Sequence, residues 1–312
     1  MASKVFFTKE LDQAAELFDR ASLRTLISKG DQVALKIHFG EPGNHAYIKP
    51  ERVKPLVRKV RDLGGKPFWT DANTLYKGKR SNNESHLQTA HNHGYTMNRT
   101  GADVIIADDP DNVRGLAISV NYPLCNKIHV APRALVQAML VITHFKGHEL
   151  TGFGGALKNL GMGLGSKLGK LKMHQDCPNC PEVKTCKKNQ TLESCWVGSS
   201  PLVQQKIAEY AAGIAAQFKS KIGFISFITD VSENCDCYAH NSAPIVPDIG
   251  ILASFDPVAL DQACVDLVNQ SEGRIKGPDK FRTIWPEADW SIQLKHAESI
   301  DLGSRKYELI KI

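Results

Sequence analysis

Apolar and polar positions alternate in blocks along the first half of the chain. Residues 33–39 (VALKIHF), 67–71 (PFWTD), 103–107 (DVIIA) and 138–145 (AMLVITHF) are short apolar runs, which predicts strands. Between them, 50–63 carries Val53, Leu56, Val57 and Val60 at helical spacing and stops at Gly64-Gly65, and 81–93 reads as a second helix closed by Gly94. In the second half, 201–218 predicts an alanine-rich helix, 221–229 (KIGFISFIT) a buried strand and 249–253 a short strand. A further helix starts near 257, with Asp256 as its N-cap and Pro257 in its first turn; the tail from 271 packs back on the sheet. This order predicts an α/β protein with a mostly parallel sheet flanked by helices. It also predicts a division into an α/β half (1–170), a cysteine-rich metal-binding insert (171–200) and a second α/β half completing the sheet (201–312).

Right-handed crossovers place functional residues just after the strands. HFGEPGNHAYIKP follows the first strand, TDANTLYKGKR the second, and HFKGHELTGFGGALKNLGMG the fourth. His38, Asp71, His144 and His148 are thus candidates for proton transfer. Any one histidine is more often a surface or core residue, and it is the repeated placement after strands that raises these. Glycines let backbone amides approach an anion and lysines add charge, so the stretch 152–170 reads as an anion-binding loop. Its candidates are Lys146, Gly154, Gly155, Lys158 and Asn159, joined by Lys36, Asn73 and Arg80 from the earlier strand ends. The glycines match neither common nucleotide-binding fingerprint.

Composition narrows the class. With 42% hydrophobic and 23% charged residues in 312, the chain is an ordinary globular one. A net charge of +6 favours small anionic ligands and points only weakly to nucleic acid, which is not expected as a partner. No apolar run reaches the ~18 residues of a membrane span, and the first residues lack the pattern of a signal peptide. The expectation is a cytoplasmic protein without membrane contact. Reducing conditions would leave its eight cysteines as thiols or metal ligands. Cys125 and Cys264 stand alone and suit packing, whereas Cys177, Cys180, Cys186 and Cys195 form one cluster and Cys235 and Cys237 another. Four thiolates, two of them from a C-x2-C turn, suit an iron-sulfur cluster (4Fe-4S first) or zinc. Cys235 and Cys237 either complete that site or hold a second one.

The phrases ALKIHFGEPGN, TDANTLYKGKR, HFKGHELTGFGGALKNLGMG and ENCDCYAHNSAPIVPDIGILASFDPVALDQA resemble the domain-of-unknown-function 362 family over residues 33–270. The resemblance implies no single activity, and many members carry a ferredoxin-like iron-sulfur insert where 171–198 lies here. The insert departs from the ferredoxin cysteine run, while the Cys235-Asp236-Cys237 phrase matches the family. A more distant, fold-level likeness is to lactate-racemase-type proteins. The leading expectation is an iron-sulfur redox enzyme acting on a small anionic substrate, served by a redox partner protein. The alternatives are a zinc-stabilised isomerase or racemase, and a non-catalytic module binding anionic ligands.

Overall fold

The computed structural model describes residues 2–312. In chain order the strands are β1 (Ser3–Thr8), β2 (Gln32–Ile37), β3 (Lys66–Thr70), β4 (Leu116–Ser119), β5 (Lys127–Val130), β6 (Ala138–His144), β7 (Lys146–His148), β8 (Gly152–Gly154), β9 (Ile222–Ile228), β10 (Gly250–Ser254) and β11 (Tyr307–Lys311). The helices are α1 (Ala14–Arg20), α2 (Pro50–Asp62), α3 (Asn83–Asn92), α4 (Met97–Thr100), α5 (Ala156–Leu164), α6 (Lys167–His174), α7 (Lys188–Thr191), α8 (Ser200–Ala215), α9 (Pro257–Gln270), α10 (Lys280–Ile284) and α11 (Ser291–Ser299).

Seven strands form one sheet in the order β11-β1-β10-β9-β6-β2-β3, and β4-β5 and β7-β8 are small hairpins. Neighbours β3, β2, β6 and β9 are parallel, β10 runs antiparallel to both β9 and β1, and β1 is parallel to β11. The sheet is thus mostly parallel with one reversed strand. That reversal matters for the site, because β10 begins at the edge where β9 ends. The connection between them, residues 229–249, therefore stays at the carboxyl edge of the four parallel strands.

Both faces of the sheet are covered, which is why its strands read as continuous apolar runs. In β6, Met139 and Val141 join the core built with Leu160, Ile207 and Val265, while Leu140 and Ile142 join the opposite core with Leu17, Val53 and Val57. Pro50 opens α2 and Asp256 caps α9, accepting from the amides of Val258 and Ala259. No helix among the described residues is long and apolar enough to cross a membrane.

Three differences from the sequence pattern have physical causes. Residues 103–107 run beside β3 with hydrogen bonds from Trp69 N to Asp103 O and from Ile105 N to Trp69 O, yet form only one bridge, Trp69 to Val104. The first strand, β1, escapes the pattern because its pairing with β10 and β11 is set by the far end of the chain. The glycine-rich stretch is mostly helical, not a loop, since α5 and α6 occupy it. Tertiary contact overrides the weak helix propensity of glycine here. A Cβ on Gly169 would lie 2.0 Å from the carbonyl oxygen of His129, so the glycine lets α6 press on β5. Gly169→Ala is expected to lower stability by about 1–3 kcal/mol in denaturant titration, because backbone rather than a mobile side chain meets the new methyl.

Candidate functional site

The carboxyl ends of β2, β3 and β6 and the connection after β9 surround a cavity of about 700 Å³. Its floor is a buried charge network. Lys36 on β2 contacts Asp71 Oδ1 at 2.9 Å and donates to Asn159 Oδ1 at 2.7 Å. Arg80 reaches Asp71 Oδ2 at 3.4 Å and Glu41 at 2.8 Å, and donates to the Tyr76 hydroxyl. Burial works against the charge on Asp71, but Lys36, His86 and Arg80 outweigh it and hold the carboxyl below its usual range. Asp71 is thus held as a carboxylate between Lys36 and Arg80.

The Cys235-Asp236-Cys237 turn reaches this edge by close backbone approach. Gly147 N donates to Ser232 O at 2.8 Å, and a Cβ on Gly147 would lie 2.2 Å from the carbonyl oxygen of Glu233. Glu41 N donates to Asp236 O at 2.9 Å. The Asp236 carboxylate contacts His144 Nδ1 at 2.8 Å and Lys146 at 3.5 Å, while His144 Nε2 bonds the Thr229 carbonyl. Burial would raise the Asp236 carboxyl; His144 and Lys146 more than offset this and hold it well below the usual range. Its other oxygen, Oδ1, is buried without a partner.

On either side of Asp236 the thiols face His148. The ligand atoms of His148, Cys235 and Cys237 lie within 4.8 Å of one another, the one such group among the described residues. The hydrogen bond from Cys237 pulls the Cys235 thiol below its usual range; burial opposes this, and Lys158 and Lys146 add to it. Cys237 is pushed up by the same bond, by burial and by the neighbouring thiolate, so the pair keeps one shared proton. Lys158 Nζ sits 3.8 Å from Cys235 Sγ. Burial and the charge of Lys158 keep His148 well below its usual pKa, which leaves its imidazole neutral. Its Nδ1 accepts from Leu150 N at 3.1 Å, so a metal on this ring would replace that bond or shift the tautomer.

Of the residues selected from the sequence, His38, Asp71, Arg80, Lys146, His148, Gly154, Gly155, Lys158, Asn159, Cys235 and Cys237 line the cavity. Lys36 and His144 lie beneath it and act through Asp71 and Asp236. Asn73 does not line it, because its side chain is spent on Asn83 at 2.6 Å and His86 at 3.2 Å. The four insert cysteines do not converge. Cys177 and Cys180 are half-buried in a 3-10 turn, Cys186 is exposed, and Cys195 packs against Leu168 and Leu171. Cys235 and Cys237, expected either to complete the insert's site or to hold a second one, form a group with His148.

Within the stretch read as an anion-binding loop, the amides at the start of α5 are already bonded. Asp261 on α9 accepts from Ala156 N at 2.7 Å and Leu157 N at 2.9 Å, capping α5. Burial pushes its carboxyl up to about 7, against the two amides. Because the folded value lies above the unfolded one, its contribution to stability is complete below about pH 4 and is lost as pH rises through 7. Asp261→Asn is therefore expected to narrow the stability difference between pH 5 and pH 8, by about 2–3 kcal/mol, in denaturant titrations at the two values.

Glu41, Tyr76, Lys170, His174, Trp196 and Tyr238, to which the sequence pattern assigned no role in the site, also line the cavity. Glu41 and Tyr76 carried a signal by their place just after strands, and Lys170 another as a lysine within the glycine stretch.

These side chains turn the carboxyl edge of an α/β sheet into a thiol- and ammonium-bearing cleft. The chain belongs to the family described as Domain of unknown function (DUF362), whose model matches residues 33–266. No curated protein sequence matches it. Among solved structures it is similar to the lactate racemase apoprotein from Thermoanaerobacterium thermosaccharolyticum, with 13% identity and a TM-score of 0.48 over 85% of this chain and 57% of that one. It is also similar to a protein from Thermotoga maritima, with 14% identity and a TM-score of 0.43 over 82% of this chain and 59% of that one. The chain thus spans less than two thirds of either structure.

Proposed function

We propose that the protein is a metal-dependent enzyme acting on a small anionic substrate, with His148, Cys235 and Cys237 as the metal ligands. The observation that carries this reading is the convergence of one imidazole and two thiols on the wall of a cavity that Lys146 and Lys158 also line. Two sulfurs and one nitrogen suit a borderline-soft divalent ion such as zinc, and three protein ligands leave a position for substrate. When bound, such an ion polarises a carbonyl or phosphoryl oxygen or acidifies a water.

The chain's own groups would divide the remaining work. Lys146 and Lys158 draw the anion in and orient it. Asp236 holds His144 and Lys146 in place, as Asp71 and Glu41 hold Arg80. His38 is kept neutral by burial and by the surrounding Arg80, Lys146, Lys36 and Lys158, which disfavour its protonation, so it offers the substrate a neutral imidazole for hydrogen bonding.

A second reading, an iron-sulfur cluster in the insert serving a redox reaction, draws on the tight turn in which Cys180 N donates to Cys177 O at 3.3 Å. Metal, iron and acid-labile sulfide in protein purified without oxygen separate the two. A single ion without sulfide is expected; iron with matching sulfide would replace the first reading by the second.

A further inference from the structure

Lys170 is the cavity amine that the metal site leaves unused. It is buried on α6 and lines the cavity. The other buried amines nearby are matched: Lys36 by Asp71 at 2.9 Å, Lys146 by Asp236 at 3.5 Å, and Lys158 by Cys235 at 3.8 Å; Lys77, which also lines the cavity, is exposed to solvent. Lys170 has only the Gly165 carbonyl as hydrogen-bond acceptor, and among the described residues no carboxylate lies within ion-pairing distance of it.

We propose that Lys170 forms an imine with a 2-oxo acid bound in the cavity, its carboxylate facing Lys146 and Lys158. This goes beyond the metal reading and does not rest on it. The charged groups around Lys170 set its readiness. Burial brings it down to about 8, Asp108 and Asp71 oppose this, and Lys36 and Arg80 add to it. At pH 7 its free-base fraction then exceeds that of an ordinary lysine on the order of 10²-fold.

His174 lies one turn further along α6, lines the same cavity and is held neutral by burial and the nearby lysines. The step balances without an oxidant or reductant. The amine adds to the carbonyl carbon, a C–N bond forms, and the carbonyl π pair moves to oxygen, which takes a proton. The nitrogen's proton passes by way of His174 to that oxygen, the C–O bond breaks, and water leaves as the nitrogen lone pair closes the C=N bond. The resulting iminium accepts the electron pair of an adjacent C–H or C–C bond.

The test is incubation of the full chain with pyruvate and sodium cyanoborohydride, followed by peptide mass mapping. A carboxyethyl group is expected on Lys170 at least about tenfold above any exposed lysine, rising with pH around 8. The label should persist in Cys235→Ser, which breaks the metal group, and vanish from that peptide in Lys170→Arg. Wild-type protein labelled only on exposed lysines, or Lys170 labelled only above about pH 10, would overturn the proposal. Because the wild-type map decides alone, a poorly folded variant does not rescue or sink it, and its failure leaves the metal reading standing.

Discussion

Cys235→Ser is expected to strip the protein of its metal and of whatever activity the metal supports. Serine keeps the size of the side chain but replaces a thiolate with a hydroxyl that stays protonated near neutral pH. The loss in affinity should exceed the roughly 10- to 100-fold that removal of an outer-shell partner produces. Asp236→Asn supplies that outer-shell comparison, since it weakens the hold on His144 and Lys146 without touching a ligand atom. Cys180→Ser is the control in the insert and should leave the metal in place. Equilibrium metal titration with elemental analysis measures all three, and full retention of metal in Cys235→Ser would remove that residue from the ligand set.

Asp71→Asn carries the largest expected effect on stability, about 3–5 kcal/mol, because it leaves a buried ammonium without its carboxylate. Lys36, fully buried, pairs with Asp71 at 2.9 Å, and the same carboxylate holds Arg80 at 3.4 Å. Lys36→Met should be milder, since Asp71 keeps Arg80 and gains no unpaired charge of its own sign. Combining the two should recover part of the loss, which is the signature of a coupled pair. Urea titration with an unchanged slope reads the effect. A change below about 1 kcal/mol in Asp71→Asn would mean that the network is solvated and does not organise the cavity floor.

Much of the fold was legible because the sheet has both faces covered. Strands β2, β3, β6 and β9 stand out as apolar runs, and α2 and α9 carry period and caps that local physics sets. Strand β1 was not legible, because a short N-terminal strand gains meaning only from its partners at the other end of the chain. The helices α5 and α6 were hidden by glycines that serve close packing rather than chain flexibility.

The site was legible in its parts and not in its assembly. His38, Asp71 and His148 follow strands, as the topology of parallel sheets requires, and the Cys235-Asp236-Cys237 phrase stands out on its own. What joins His148 to those thiols is the reversal of β10, which keeps residues 229–249 at the active edge. No spacing in the sequence encodes that reversal. In the insert, the spacing of Cys177 and Cys180 places two thiols in one turn, while Cys195 packs in an apolar cluster with Leu168 and Leu171, a placement that spacing does not reveal.

X-ray absorption at the edge of the metal retained after purification tests the central claim most directly. The account predicts two sulfur neighbours at about 2.3 Å and one nitrogen neighbour at about 2.0 Å, with a lighter atom completing the shell. A shell of four sulfurs, or iron-iron scattering from a cluster, would contradict it and move the metal to the insert.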